Sequence, residues 1–251
     1  MSLKIVYGRA GSGKTTYCLN ELKKRIESGN QGKIIFLVPE QYSFQAEKDL
    51  IEVLNANGIL KTEVLSFQRM AYRIFNEIGG ITYPHIHPAG KSMIIYRILD
   101  KLKKEINIFS KSCDKEGFVN NVSSLISEFK RYNVDPKELL NAREEISENV
   151  LNEKLYELGI IFEEFNKTLA ERYRDTDDDL TIAAKKLLEN PIYDGAEIWI
   201  DGFISFTPQE YKMLETLLKQ AKKITLTLCI DEFDPESLTD KLDVFRESKR
   251  A

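Results

Sequence analysis

Two stretches carry residue types at spacings that could do chemistry. The first, GRAGSGKTT over residues 8–16, fits G-x-x-x-x-G-K-[ST] through Gly8, Gly13, Lys14 and Thr15. Glycines at 8, 11 and 13 let the backbone curl until its N–H groups point inward at phosphate oxygens. A lysine at this point of the loop can reach the β- and γ-phosphates, and the following hydroxyl can ligate Mg²⁺. Gly8, Arg9, Ala10, Gly11, Ser12, Gly13, Lys14, Thr15 and Thr16 are therefore expected to hold ATP. The second stretch, EIWIDGFISFTPQEY, begins almost two hundred residues later at Glu197. It closes an apolar run on Asp201. In phosphate-loop enzymes an aspartate so placed supports the metal ion, so Thr15 and Asp201 are expected to serve Mg²⁺. A glutamate usually follows that aspartate as base or water-orienting group. Here position 202 is glycine. Losing a general base typically costs on the order of 10²–10⁴ in rate, while the binding groups remain. The expectation is a nucleotide held with little hydrolysis, and no residue is assigned a catalytic role.

These side chains need elements to position them. Ile5, Val6 and Tyr7 read as a buried strand entering the loop, and Leu19, Leu22, Lys23 and Ile26 continue beyond it at helical spacing. Further strands are expected at 33–38, 62–66, 197–201 and 223–230. Several are continuous apolar or β-branched runs, the mark of a parallel sheet buried on both faces. Helical periodicity marks 14–28, 43–56, 67–78 and 208–220, so strands and helices alternate as in a doubly wound α/β domain. Between about 88 and 190 the strand signal vanishes, and helices are expected at 89–105, 116–132, 136–145, 150–173 and 178–189. The pattern predicts an α/β domain over 1–88 and 191–251 with an all-helical insertion at 89–190. The segment from 234 starts a fresh helix-like pattern, and five strands ending this way suggest a truncated chain.

Composition narrows the classes. The chain has 251 residues, 30% of them charged and 42% hydrophobic, with a net charge of −4. That is an ordinary globular make-up without a basic footprint, so any nucleic-acid contact must be local. No apolar run approaches the length of a membrane span, and no signal peptide is read at the start, so a cytoplasmic protein is expected. Cys18, Cys113 and Cys229 are scattered, which suggests neither a zinc site nor a disulfide framework. His85 and His87 stand between prolines and read as a loop rather than a metal site.

The motifs together resemble the N-terminal part of the AddB family, which supplies one of the two chains of bacterial ATP-dependent helicase–nucleases and is related to UvrD-like superfamily 1 helicases. GRAGSGKT is similar to the first helicase motif. FLVPEQYSFQAEKDL (36–50) and TEVLSFQRMAYRIF (62–75) resemble the two DNA-facing segments of those helicases. DTDDDLTIAAKKLL (175–188) resembles the acidic stretch before motif II, and IWIDGFISFTPQEY resembles a degenerate motif II, with Gly202 for its glutamate.

The resemblance implies a RecA-like α/β fold, a UvrD-type domain 1A, with a helical subdomain 1B. It also implies an AddA-type partner subunit, work on double-strand DNA ends, a part in Chi recognition, and no contact with membrane. A nuclease domain with an iron–sulfur cluster is expected only in a C-terminal region absent from this chain. DNA-facing residues carried over are Gln41, Tyr42, Ser43, Ser66, Phe67 and Arg69. For Phe44 core packing is preferred, for the run 175–179 helix capping, and for Lys101, Lys103 and Lys104 a solvated face. Two other readings stand beside this one: an active phosphate-loop ATPase or small-molecule kinase with a helical lid, and a scaffold with a fossil loop.

Overall fold

A computed structural model describes residues 2–29, 32–55, 62–80, 83–142, 148–232 and 245–250. Five strands form one sheet: β1 (Ser2–Gly8), β2 (Ile34–Leu37), β3 (Thr62–Leu65), β4 (Glu197–Ile200) and β5 (Lys223–Cys229). Every pairing is parallel and the order is β1-β5-β4-β2-β3. Parallel neighbours need long crossovers, and the helices supply them. The α/β fold expected from the alternation is the fold observed.

Side chains along each strand alternate between two cores. Ile34, Phe36, Val38, Val64 and Trp199 meet α1 (Lys14–Glu27) and α2 (Ser43–Leu54) on one face. Ile35, Leu37, Leu65, Ile198 and Ile200 face the other way. There they meet α3 (Phe67–Ile78), α8 (Asp179–Glu189) and α9 (Pro208–Gln220). Helix α9 starts on a full capping box: Thr207 accepts from the Glu210 N–H while the Glu210 carboxylate accepts from the Thr207 N–H. The buried-strand expectation fails for β1. Leu3, Ile5 and Tyr7 are 52%, 41% and 52% exposed, because β1 lies at the edge of the sheet.

The chain divides into two compact units, Met1–Gly79 with Leu180–Ala251, and Gly80–Asp179. The second unit is helical: α4 (Pro88–Leu102), α5 (Glu116–Arg131), α6 (Pro136–Asn141) and α7 (Asn149–Ala170) surround a core of its own that includes Ile95, Leu99, Val122, Ile126, Ile161 and Phe165. The boundaries expected from sequence, 89 and 190, sit about ten residues late. Residues 180–189 continue the helical pattern, yet Ala183, Ala184 and Leu187 pack into the sheet-side core. At the other end Ile86 belongs to the helical core, and His85 forms a bridge with Arg174. Residues 56 and 143–145 of two expected helices, and most of the segment after 233, lie outside the described residues. Its last part forms α10 (Arg246–Arg250).

Candidate nucleotide-binding site

Strand β1 ends at Gly8, and the loop turns at once. A Cβ on Gly8 would meet the Ser12 Oγ at 2.7 Å, so the first glycine is needed for close approach. Gly11 and Gly13 have φ of 76° and 85°, in the left-handed region that side chains avoid. Gly13 is the N-cap of α1 and offers no side chain to the helix's free N–H groups. Those donors, with the dipole behind them, are available to an anion. The Lys14 amine lies over the loop and donates to the carbonyls of Gly8 and Arg9, at 2.7 and 2.8 Å. Arg9, Ala10, Ser12 and Thr16 are exposed around it, and Arg9 stands 3.8 Å from Asp231 beyond β5.

Asp201 follows β4 and reaches the loop across β5. Its Oδ2 accepts from the Thr15 hydroxyl at 2.7 Å, although 186 residues separate the two in sequence. Its Oδ1 accepts from the Thr227 hydroxyl of β5. Asp201 is only 2% exposed, and among the described residues it makes no ion pair with Lys, Arg or His. A buried carboxylate held by two hydroxyls, with one of them at the mouth of a phosphate-type loop, suits a hydrated divalent cation. Thr15 and Asp201 could hold Mg²⁺, and the loop N–H groups with Lys14 could hold the nucleotide's phosphates. Sequence does not single out Thr227. Its signal is the alternation T-L-T-L in β5, which breaks an otherwise apolar strand with hydroxyls on one face.

Gly202 has φ 83°, and a Cβ there would meet Pro39 at 3.3 Å. The backbone after Asp201 is thus shaped for glycine. Behind the site Cys18 is fully buried, and burial, with the nearby charge of Asp201, pushes its thiol up to about 12.

The segments expected to face DNA divide sharply. Gln41 is exposed in a 3-10 turn, Glu40–Tyr42, and the half-buried Tyr42 donates its hydroxyl to Asp49 at 2.8 Å. Ser43 is buried and donates to the Glu40 carbonyl at 2.9 Å, closing that turn. Ser66 is buried as the N-cap of α3, accepting from the Arg69 N–H at 3.2 Å. Phe67 is 5% exposed, edge-on to Phe203 and Phe206 in the core, so it cannot face a ligand. Phe44, expected inside, is 76% exposed: at the start of α2 its neighbours Ser43 and Ala46 point inward instead. Arg69 is half-exposed and donates to Glu47 at 2.7 Å.

In the helical unit the acidic run does more than cap. Asp175 accepts from the Asp177 N–H, but its Oδ2 also accepts from Lys91 and Lys130, at 2.8 and 3.0 Å. Lys91 also reaches Asp177 and Lys130 reaches Asp178. Asp179 pairs with Arg174 and His85. The helix dipole alone could not offset burying these carboxylates; the lysines and the arginine do so. Lys101 and Lys103 pair with Glu164 and Asp114 at the surface, as a solvated face would. Among the described residues no helix is long and apolar enough to cross a membrane, and no three His, Cys, Asp or Glu side chains gather as a metal cluster.

A glycine loop at the carboxyl edge of an all-parallel sheet gives the α/β unit the RecA-like class of phosphate-loop fold. Comparison with known proteins is more specific. The family model described as ADDB, N-terminal, matches residues 5–251, and the chain belongs to that family. Over 252 residues it is 59% identical to the AddB-type chain of the ATP-dependent helicase/deoxyribonuclease of Acetivibrio thermocellus, covering 100% of this chain and 22% of that protein. Proteins of the same name from Ruminiclostridium cellulolyticum and Clostridium botulinum (strain Loch Maree / Type A3) are each 51% identical, over 100% and 98% of this chain. The chain thus spans about a fifth of the length of these relatives.

Proposed function

We propose that the chain is the nucleotide-binding, hydrolysis-poor helicase-like part of a subunit of an ATP-dependent helicase–nuclease. Its work is the processing of double-strand DNA ends for recombinational repair, with an AddA-type subunit as partner and a share in recognising Chi. Gly8–Thr16 hold the phosphates of ATP, and Thr15 with Asp201 hold Mg²⁺. The helical unit takes the place of subdomain 1B and the α/β unit that of 1A. Gln41, Tyr42 and Arg69, joined by the exposed Phe44, face DNA. Ser43 and Ser66 act there by shaping the turns. The reading places the chain in the cytoplasm and puts nuclease chemistry and any iron–sulfur cluster in other parts of the full-length protein.

The observation that carries this reading is the 2.7 Å bond from Thr15 to Asp201, followed by Gly202 in a glycine-only conformation. Binding parts are in register, while the place of the usual glutamate is closed to a side chain. That weighs against an active ATPase or kinase. Calorimetry with MgATP tests the site: Lys14→Ala should weaken binding by about tenfold or more, a loss of at least ~1.4 kcal/mol. Unchanged affinity would remove the loop from the account. Turnover separates holding from burning. A Lys14-dependent, DNA-stimulated rate of about 1 s⁻¹ or faster, ordinary for an enzyme, would contradict the hydrolysis-poor reading.

A further inference from the structure

The sheet has two open edges, and they differ. β3 has four residues, all buried or half-buried. β1 has seven, most of them exposed, with Leu3, Ile5 and Tyr7 among the large apolar side chains left in water. These three are not scattered. In the β1–β5 register Leu3 stands beside Ile224, Ile5 beside Leu226 and Tyr7 beside Leu228. Parallel neighbours in register point to the same face. Ile224, Leu226 and Leu228 are buried in the core that also holds Met213, Leu214 and Leu217 of α9. The same apolar face therefore runs on to β1 and loses its cover there. The other face of β1 is occupied by α1, where the Lys4 amine lies 4.9 Å from the Tyr17 ring centre. All-parallel sheets occur with both faces covered, and a long apolar edge strand is a template for another strand.

We propose that in the full-length protein the polypeptide following residue 251 completes this edge. One helix of it covers Leu3, Ile5 and Tyr7, and one strand pairs in parallel with the outer side of β1. Three observations select this occupant over a second copy or a partner subunit. The family is the N-terminal part of a protein whose relatives are about five times longer, so ample polypeptide follows. Phe245, just before α10, packs against the same core as Ile224 and Leu226, so the chain already lies on the face that needs covering. Both sides of β5 are taken, by β1 and β4. The next parallel strand must go to a free edge, and that of β1 is one strand away while that of β3 is three. A right-handed crossover past β1 is the usual connection of this kind. Since Tyr7 leads directly into Gly8, the added strand would brace the strand that carries the phosphate loop.

Residue-level amide exchange on the full-length protein, without its partner, tests this. At an open edge, alternate amides between Leu3 and Tyr7 exchange within about tenfold of the unfolded rate; at a completed edge all of them are slower by about a hundredfold or more. Tyr7→Cys adds a second readout, with thiol labelling expected to be about a hundredfold slower than in the denatured protein. If that variant misfolds, the exchange of the unmodified protein decides alone. Free exchange of the alternate β1 amides overturns the proposal. So does protection that appears only when the partner subunit is added, or only at concentrations where light scattering finds a dimer.

Discussion

Asp201 and the Asp175–Asp179 run are both buried acids, and they are buried in opposite ways. In the helical unit each carboxylate meets a cation. Lys91 and Lys130 are each 6% exposed and between them reach Asp175, Asp177 and Asp178, while both amines also lie over the Phe165 ring at 5.6 and 5.3 Å. In the α/β unit Asp201 meets hydroxyls alone. A charge buried with its counter-ion is structural mortar; one buried beside neutral donors keeps its capacity for a cation from outside. The chain's acids are thus distinguished by their donors and not by their burial.

Removing a cation from the helical unit should have the largest effect. Lys91→Met or Lys130→Met leaves carboxylates buried without full compensation, and breaking such pairs costs about 3–5 kcal/mol. Urea unfolding followed by circular dichroism should record that loss. A change below about 1 kcal/mol would mean that these lysines do not compensate the run. Asp201→Asn is the contrast. It keeps the shape and removes a charge that has no cationic partner among the described residues. Stability should change by less than about 1 kcal/mol, while the gain in ATP affinity that Mg²⁺ provides should fall about tenfold, or ~1.4 kcal/mol. A large loss of stability would make Asp201 structural and erase the comparison.

Gly202→Glu should cost about 1–2 kcal/mol, since a side chain is forced into the left-handed region against Pro39. It should not raise hydrolysis, because the carboxylate would have no room to point at the nucleotide from this backbone. Gain of turnover in a phosphate-release assay would show that the missing glutamate alone silences the site. The gentlest test is acid. Burial pushes the Asp175 carboxyl up, but the charges of Lys130 and Lys91 outweigh it and hold the group below its ordinary value. Its contribution is therefore complete above about pH 4 and is lost as pH falls through the lower, folded value. The stability of the helical unit should decline in that window, and Asp175→Asn should flatten the decline. An unchanged slope in that variant would assign the acid sensitivity to other carboxylates.

What is legible from the chain alone is whatever its neighbours in sequence decide. The loop from Gly8 to Thr15 is a local motif, so its glycine geometry follows from residue types. The alternation of short apolar runs with helical spacing determines the α/β class and the order of strands and helices. Asp201 followed by Gly202 already suggests binding without turnover. What sequence does not reach are facts made by contacts over long separations. The order β1-β5-β4-β2-β3 leaves β1 at an edge, although Ile5, Val6 and Tyr7 are as apolar as any buried run. The acids at 175–179 look like caps because their lysines are 45 to 86 residues away. Phe44 and Phe67 each sit near the start of a helix after a strand, yet one is 76% and the other 5% exposed. A phenyl ring has the same local preferences in both places. Only the packed sheet decides which of the two finds Phe203 and Phe206 to bury it, because burial is a property of the surfaces that meet, and those surfaces come from distant parts of the chain.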